Sequence, residues 1–242
     1  MIKNRLRTNP QARRLREVLL ACLDVLDSQT KSVAKKCISD GIQVILDVGA
    51  NVGQFAIDMR RNGYRGLIYS FEPVAESFST LSEQVLKDKK WEAFNFALGE
   101  IEGYREINVS GNSGLSSSLL KMDFYHTENF PESAFVASEP IFISTVDRQM
   151  ESLEIEPQSS MLKIDVQGYE YNVLQGANRT LKDFRYCYLE VSLVRLYEGE
   201  STFYEILEHL HQSGHELIEV FRGITARDGS LLQVDILTRS KS

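Results

Sequence analysis

Residues 44–55 read V-I-L-D-V-G-A-N-V-G-Q-F. An apolar run contains Asp47, a glycine-rich turn follows it, and the residues after Gly53 can begin a helix. A buried strand that leads through a tight turn into a helix is the building unit of an open α/β sheet. Ligands bind to such sheets beyond the carboxyl ends of the strands, where the strand order reverses. We therefore expect residues 47–53 to border a ligand site.

Strand-like runs alternate with helical patterns along the rest of the chain. Strands are predicted at 44–48, 66–73, 91–98, 104–109, 161–166, 186–191, 215–221 and 233–238, and helices at 55–62, 76–88, 146–153, 170–181 and 201–213. Apolar runs without strict alternation are typical of parallel strands that are covered on both faces. We predict one doubly wound α/β domain in which the last two strands form an antiparallel pair, and a long polar loop after residue 109.

Composition limits the function before any motif is considered. The chain has 242 residues, 43% hydrophobic and 25% charged, with a formal net charge of -7. This acidic balance argues against a general nucleic-acid binder, which normally carries a basic excess. No apolar run approaches the roughly eighteen residues that a membrane span needs. Three widely spaced cysteines make a disulfide framework improbable, so we expect a cytoplasmic protein with buried thiols.

The beginning of the chain differs from the rest. Residues 11–38 have a helical period, and the first sixteen residues are basic, with no acid before Glu17. A solvated segment is favoured here over a contact with membrane or RNA. We divide the chain into an N-terminal helical segment, residues 1–40, and one domain, residues 41–242. The segment can serve as a local cap or as a contact in a homo-oligomer.

The glycine turn indicates which ligand it holds. Its glycines let the backbone turn sharply and approach a ligand, and the following helix start favours an anionic group. A dinucleotide fingerprint reads G-x-G-x-x-G, but Asn51 stands where its middle glycine would be. A P-loop would need G-K-[ST], which is absent. The turn therefore suits a ligand with a carboxylate or an amine near the glycines and no pyrophosphate.

Glu72 supplies a second indication. It ends the second predicted strand, where an acid of this spacing accepts hydrogen bonds from both hydroxyl groups of a ribose. A nucleoside without phosphate that carries an amino-acid end matches both features, and S-adenosylmethionine is such a molecule. The alternative is that the glycines only form a tight turn and that Glu72 only caps a helix.

Several stretches, taken in order, resemble the FkbM family of S-adenosylmethionine-dependent methyltransferases. They are L-D-V-G-A-N-V-G-Q-F, Y-S-F-E-P, N-F-A-L-G, S-G-L-S-S-S-L, S-T-V-D, L-K-I-D-V-Q-G-Y-E-Y-N-V-L-Q-G-A and Y-L-E-V, within about residues 44–192. The resemblance implies a class I methyltransferase (Rossmann-like) fold, a mostly parallel seven-stranded sheet with an antiparallel C-terminal strand. It also implies methyl transfer to a hydroxyl oxygen of a sugar, a polyketide or a related small metabolite.

The resemblance assigns residues to the cofactor. The glycine-loop residues that would hold its methionine end are Asp47, Gly49, Ala50, Asn51 and Gly53; Glu72 would bind the ribose, Asn95 and Ala97 would lie near the adenine, and Asp165 would lie next to the transferable methyl group.

A hydroxyl acceptor must lose its proton around the transition state, which requires a general base or a metal ion. Asp165 is the best placed base. Lys163 projects from the same side of the predicted strand and can pair with Asp165 or orient an acceptor. Glu190 can be a second base, a magnesium ligand or a structural partner of the backbone. The sequence has no zinc-binding pattern, so we expect no metal ligand here, although a magnesium ion held by Asp165 and Glu190 stays open as an alternative.

The serine-rich stretch at 110–119 can form a lid or an acceptor-binding loop, or simply a solvated connection. The family resemblance favours an acceptor contact for Ser116, Ser117 and Ser118. His126 follows in the same region as a candidate acceptor contact or base, although a lone loop histidine is more often a plain surface group. Five aromatic residues between 124 and 142 suggest a subdomain that packs over the sheet edge.

Two other functions stay open at this point. One is a non-catalytic module that binds S-adenosylmethionine, and the other is a nicotinamide-dependent oxidoreductase on a similar sheet. The absent middle glycine argues against the oxidoreductase, and the acids Asp47, Glu72 and Asp165 argue against a decayed enzyme.

Overall fold

The computed structural model describes residues 29–241. Its strands are β1 (Val44–Val48), β2 (Leu67–Phe71), β3 (Trp91–Phe94), β4 (Ala97–Leu98), β5 (Gly103–Ser110), β6 (Phe135–Ser144), β7 (Ser160–Ile164), β8 (Tyr186–Ser192), β9 (His215–Arg222) and β10 (Gln233–Ser240). Its helices are α1 (29–39), α2 (Gln54–Arg61), α3 (Ala75–Val85), α4 (Phe124–Asn129), α5 (Val146–Ser152), α6 (Glu170–Gln175) and α7 (Phe203–Gln212).

The main sheet has seven strands in the order β3-β2-β1-β7-β8-β10-β9. Strands β1, β2, β3, β7 and β8 pair in parallel, whereas β10 runs antiparallel to both of its neighbours. This arrangement confirms the predicted mostly parallel sheet with an antiparallel C-terminal strand. The strand order reverses between β1 and β7, which places the ligand crevice of a doubly wound sheet above these two strands.

Both faces of this sheet are covered, as the apolar strand β1 predicted. Val44, Leu46 and Val48 point into one buried cluster, together with side chains of α5, α6 and α7. Ile45 points into the opposite cluster, which also contains buried side chains of α1, α2 and α3. Because successive strand residues face opposite sides, a strand buried on both has no polar alternation.

A second, three-stranded sheet in the order β4-β6-β5 corrects two expectations. The run 91–98 is not one strand: β3 belongs to the main sheet and β4 pairs with the end of β6. The region predicted as a long polar loop contains β6, which pairs antiparallel with β5. Seven of the ten residues of β6 are not buried and include Pro140, so neither alternation nor composition marked it as a strand.

The N-terminal prediction can be followed only from residue 29 onward, because residues 1–28 lie outside the described range. Val33, Ala34 and Cys37 of α1 are buried in the sheet core. A boundary at residue 40 therefore does not separate two cores, and the division into two segments stays a prediction. Between residues 29 and 241, both cysteines are free and buried, and no helix is long and apolar enough to cross a membrane.

Candidate active site

A cavity of about 290 Å³ opens at the carboxyl ends of β1, β2, β7 and β8. Its size is close to the lower end for small-molecule sites, roughly 300–1,000 Å³. One wall comes from the serine-rich loop after β5. Its lining contains five carboxylates and one basic side chain: Asp58, Glu72, Asp165, Glu190, Asp235 and Lys163. A site with this charge excess suits a cationic or neutral ligand better than a pyrophosphate.

The glycine loop forms the floor of the cavity through Gly49, Ala50 and Asn51. Gly49 has a φ of 74°, and a Cβ there would lie 1.8 Å from the carbonyl oxygen of Asp165. No other residue fits at this point, where β1 passes β7. The amide groups of Gly49 and Ala50 both donate to the carbonyl of Phe71, at 3.0 and 3.1 Å. These contacts hold the loop against the end of β2.

Glu72 lies at the end of β2 and is 5% exposed. Its Oε2 accepts the backbone N–H of Asn51 at 2.8 Å, and its Oε1 accepts that of Val74 at 2.9 Å. Burial raises the pKa of Glu72 to about 7, against the effect of these two donors. Each carboxylate oxygen retains capacity for a further donor. Two such oxygens side by side can accept the two hydroxyl groups of a ribose.

Gly53 does not line the cavity, in contrast to the prediction of a cofactor contact. Its φ is 91°, and a Cβ there would lie 2.7 Å from the ring of Trp91 and 2.9 Å from Leu81. The glycine is therefore required by packing beneath the first turn of α2. The glycine-loop motif in the sequence does not show whether Gly53 is required by packing or by contact with the ligand.

Asp47 also lies beneath the loop and not in the cavity lining. It is fully buried, accepts a hydrogen bond from the hydroxyl of Ser70 at 3.0 Å, and pairs with Lys163 at 3.0 Å. The indole N–H of Trp91 donates to the same Ser70 hydroxyl. Lys163 in turn donates to the carbonyl of Gly49 at 2.8 Å. Asp47 thus supports the glycine loop through Lys163.

Lys163 has Asp47 as its close partner, because Asp165 is farther away at 3.8 Å. Burial opposes its charged form, but the carboxylates of Asp47 and Asp165 raise its pKa above the usual value. The lysine remains a cation that is held by the protein itself. A positioning role in the loop follows from these contacts.

The two residues predicted near the adenine lie in different settings. Asn95 is exposed and is not part of the cavity lining; its side-chain amide donates to the carbonyls of Glu72 and Pro73, each at 3.0 Å. Ala97 is buried and does line the cavity, next to Leu98. Asn95 therefore fixes the backbone after β2, and Ala97 forms part of an apolar wall.

Asp165 follows β7 and lines the cavity with a side chain that is 39% exposed. Gln167, which was not predicted from the sequence as a site residue, forms a hydrogen bond to Asp165. The Gln167 amide donates to Asp165 at 2.9 Å and to Glu190 at 2.8 Å, and the Gln167 carbonyl accepts from the Ser118 hydroxyl at 2.6 Å. Gln167 has a φ of 56°, and strained backbone of this kind is concentrated at functional sites.

Glu190 lines the cavity beside Asp235 of β10, which lies directly opposite it in the strand pairing. Oε2 of Glu190 accepts from the amides of Gln167 and Gln233. Asp235, which was also missed, is hydrogen-bonded to the hydroxyl of Tyr188. Its signal in the sequence was an acid in the middle of the apolar strand Q-V-D-I-L-T.

The three serines predicted to contact the acceptor are divided by the structure. Ser117 and Ser118 line the cavity, whereas Ser116 is buried outside the lining. The Ser116 hydroxyl accepts from Asn112 at 3.0 Å. The Ser118 hydroxyl already donates to Gln167. We therefore retain Ser117 and Ser118 and correct the prediction for Ser116.

His126 is buried in α4 and lies outside the cavity lining, so this arrangement does not bring it to the acceptor region, and its acceptor contact stays a prediction. Its ring packs at right angles against Phe130 and Tyr197, with ring centroids 5.5 and 5.0 Å away. Burial lowers the pKa of His126. Tyr125, Phe130 and Phe135 pack around Tyr197, whereas Phe124 is exposed, so only part of the predicted aromatic cluster packs together.

A search over residues 29–241 finds no group of three or more His, Cys, Asp or Glu side chains arranged for a metal ion. The prediction that no metal is used therefore stays a prediction. The residues present do fit S-adenosylmethionine: Glu72 offers two acceptor oxygens inside the cavity, apolar side chains such as Ala97 and Leu98 flank it, and the lining is acidic.

Comparisons with known proteins identify the family and the fold. The family model described as "Methyltransferase FkbM domain" matches residues 47–217. A 2-O-methyltransferase, NoeI, from Sinorhizobium fredii is 26% identical over 192 residues, which is 75% of this chain and 76% of NoeI.

Two solved structures share the fold. A methyltransferase FkbM from Methylobacillus flagellatus KT has a TM-score of 0.51 at 13% identity and covers 80% of this chain; this chain spans 43% of its length. The magnesium protoporphyrin IX methyltransferase ChlM from Synechocystis PCC 6803, solved with bound S-adenosylmethionine, has a TM-score of 0.50 at 11% identity, covering 89% of this chain and 80% of its own. At these identities the likeness shows the class I methyltransferase fold.

Proposed function

We propose that this chain, which belongs to the FkbM family of S-adenosylmethionine-dependent methyltransferases, methylates a hydroxyl oxygen of a sugar or a related hydroxylated small metabolite. The observation that carries the proposal is the single cavity shared by Glu72, the glycine loop and the acids Asp165 and Glu190. The similarity to a 2-O-methyltransferase supports oxygen as the acceptor atom.

In this proposal the cofactor extends from β2 toward β7. Glu72 accepts hydrogen bonds from the ribose hydroxyl groups, and Ala97 belongs to the apolar wall beside the adenine. Gly49, Ala50 and Asn51 form the backbone surface at the amino-acid end, and Lys163, which is paired with Asp47, holds that surface in place. When bound, S-adenosylmethionine supplies a methyl group on a positively charged sulfur, which is a good leaving group.

Asp165 acts on the acceptor. We assign it the role of accepting the hydroxyl proton as the oxygen attacks, because its partly exposed carboxylate lies between the glycine loop and Glu190. Gln167 orients Asp165 by donating one hydrogen bond to it. Ser117 and Ser118 also line the cavity, where they can contact hydroxyl groups of the acceptor. Because positioning reacting groups at near-attack distance contributes much of the rate, these fixed contacts matter as much as the base.

The acceptor class is tested by measuring transfer of labelled methyl groups from S-adenosylmethionine to a panel of small molecules. The panel contains neutral glycosides, hydroxylated metabolites, amines and thiols, and mass spectrometry locates the new methyl group. We expect oxygen methylation of a hydroxylated acceptor. Transfer only to nitrogen or sulfur would contradict the assignment of the acceptor atom while leaving the family membership intact.

A further inference from the structure

Glu190 and Asp235 form a pair of carboxyl groups at the end of the cavity opposite Glu72. They are direct partners in the antiparallel pairing of β8 and β10, which brings side chains on one face within contact distance of each other. Both line the same cavity as the glycine loop. Two carboxylates in such a position repel each other, so the pair holds a proton unless a cation compensates its charge.

The groups that face this pair do not compensate it. Asp165 and Lys163 approach from β7, Glu170 from α6, and Tyr188 from β8. Lys163 is the cation among them, and it pairs most closely with Asp47. Tyr197 and the amides of Gln167 and Gln233 contribute only neutral dipoles. The balance around the pair is therefore acidic.

The titration of the pair follows from this setting. Burial raises the pKa of Asp235 to about 7, and the charge of Asp165 acts in the same direction. Burial, followed by the charges of Asp165 and Asp235, raises the pKa of Glu190 well above its usual range. Near neutral pH the pair thus retains a proton in the empty cavity.

We infer that the Glu190–Asp235 pair is a charge-sensing element that releases a proton to solvent when a sulfonium occupies the cavity and takes a proton up again when the sulfur is neutral. The inference rests on the proposed function. It assigns to Asp235 a part in distinguishing the charged methyl donor from the uncharged product, S-adenosylhomocysteine. A positive charge that enters a partly desolvated cavity favours the ionised form of the acids that line it.

The consequence is a donor preference that depends on pH. Because donor binding is coupled to proton release, its affinity relative to the product rises with pH wherever the pair is protonated in the empty site. Full coupling gives up to about a tenfold change in the affinity ratio per pH unit. Glu72 also titrates near neutral pH, but both ligands carry the same ribose, so its contribution cancels in the difference.

The test is calorimetric titration with S-adenosylmethionine and, separately, S-adenosylhomocysteine, in two buffers of different ionisation enthalpy at several pH values. We expect more proton release with the donor, by roughly half a proton or more near pH 7, and an affinity ratio that favours the donor increasingly as pH rises. The variants Asp235→Asn and Glu190→Gln should each remove most of this difference. The matched control is Asp58→Asn, since Asp58 lines the same cavity but pairs with Arg61 at 2.9 Å; it should keep the difference.

Equal proton release for both ligands with the unaltered protein would overturn the inference while leaving the methyltransferase assignment intact. A difference that persists in both variants would overturn it as well. If neither ligand bound, the proposed function itself would fail, which is a separate result. The measurements on the unaltered protein decide the matter even if a variant does not fold.

Discussion

The two ends of the cavity are built in different ways. At the donor end, one short stretch, residues 48–51, supplies the floor, and Glu72 follows the adjacent strand β2. At the acceptor end, Asp165 follows β7, Glu190 lies in β8 and Asp235 lies in β10. The donor end relies on backbone geometry and packing, whereas the acceptor end relies on side chains brought together by the sheet. The first can be recognised as a motif, and the second exists only in the folded protein.

The largest effect is expected for Asp165→Asn, which removes the proposed base from the acceptor end. Methyl transfer should fall by roughly 10²–10⁴-fold, the usual contribution of general acid–base catalysis. Binding of S-adenosylhomocysteine should change little, since Glu72 and the glycine loop are intact. Transfer of labelled methyl groups measures the first effect and calorimetry the second. The control is Asp228→Asn, at an exposed position. Full turnover by Asp165→Asn would show that Asp165 is not the base.

Lys163→Met removes the cation that holds the glycine loop at the donor end of the cavity. It leaves Asp47 fully buried without its cation, and loss of one partner of a buried ion pair costs about 3–5 kcal/mol. Urea denaturation should report a loss of this size. Lys36→Met is the matched control, because the Lys36–Glu219 pair is partly exposed and should contribute less than about 1 kcal/mol. Equal losses in the two variants would show that the Asp47–Lys163 pair has no special structural role.

Stability should fall as pH rises from about 4.5 to about 7. Glu72 has a folded-state pKa of about 7 against an ordinary value of 4.5, so its folded form binds a proton more tightly than its unfolded form. The stability linked to that proton is complete below pH 4.5 and is lost as pH rises through about 7. For Glu72 alone the change is roughly 3 kcal/mol. Urea denaturation at several pH values should show a shallower fall in Glu72→Gln.

The same loss of stability with rising pH is expected from Asp235 at the acceptor end, since its folded-state pKa is also about 7. If Glu72→Gln and Asp235→Asn each make the free energy of unfolding less dependent on pH, then both ends of the cavity bind a proton in the folded protein without ligand. A profile that neither variant alters would contradict the assignment of raised pKa values to these two groups. Glu76→Gln, on the exposed side of α3, is the control.

The smallest effect is expected at the serine-rich loop. Ser117→Ala should raise the KM for the acceptor by roughly two- to tenfold, which corresponds to the loss of one hydrogen bond of about 1 kcal/mol. Ser116→Ala should leave this KM unchanged, because Ser116 lies outside the cavity lining. Steady-state kinetics with an acceptor from the panel would separate the two. A larger effect for Ser116 would mean that the loop rearranges when the acceptor binds.

The comparison of the two ends also explains what could be predicted from the sequence. The main sheet followed from apolar runs and turns, because a short apolar run bounded by turn residues is typical of a strand buried on both faces. Glu72 and Gly49 followed from spacing within one βα unit. Asp47 and Gly53 were assigned to the ligand although they lie beneath the loop, because a motif contains residues required for packing and residues required for binding in one pattern.

The acceptor end could be predicted only in part. Asp165 and Glu190 end their strands and were recognised by position, but Asp235 enters the cavity because β10 is inserted between β8 and β9. Gln167 acts through one amide that reaches both Asp165 and Glu190, and no spacing in the sequence encodes that contact. His126 was predicted to lie near the cavity because the loop that contains it was predicted there. In the folded protein its ring packs inward against Tyr197.

Calorimetric titration with S-adenosylhomocysteine decides whether Glu72 and the glycine loop hold the nucleoside of S-adenosylmethionine. We expect binding by the unaltered protein, an affinity about 10–100-fold weaker for Glu72→Ala, since charged hydrogen bonds contribute about 1.5–3 kcal/mol, and unchanged affinity for Glu76→Gln. Equal affinity of the unaltered protein and Glu72→Ala would show that Glu72 does not hold the ribose.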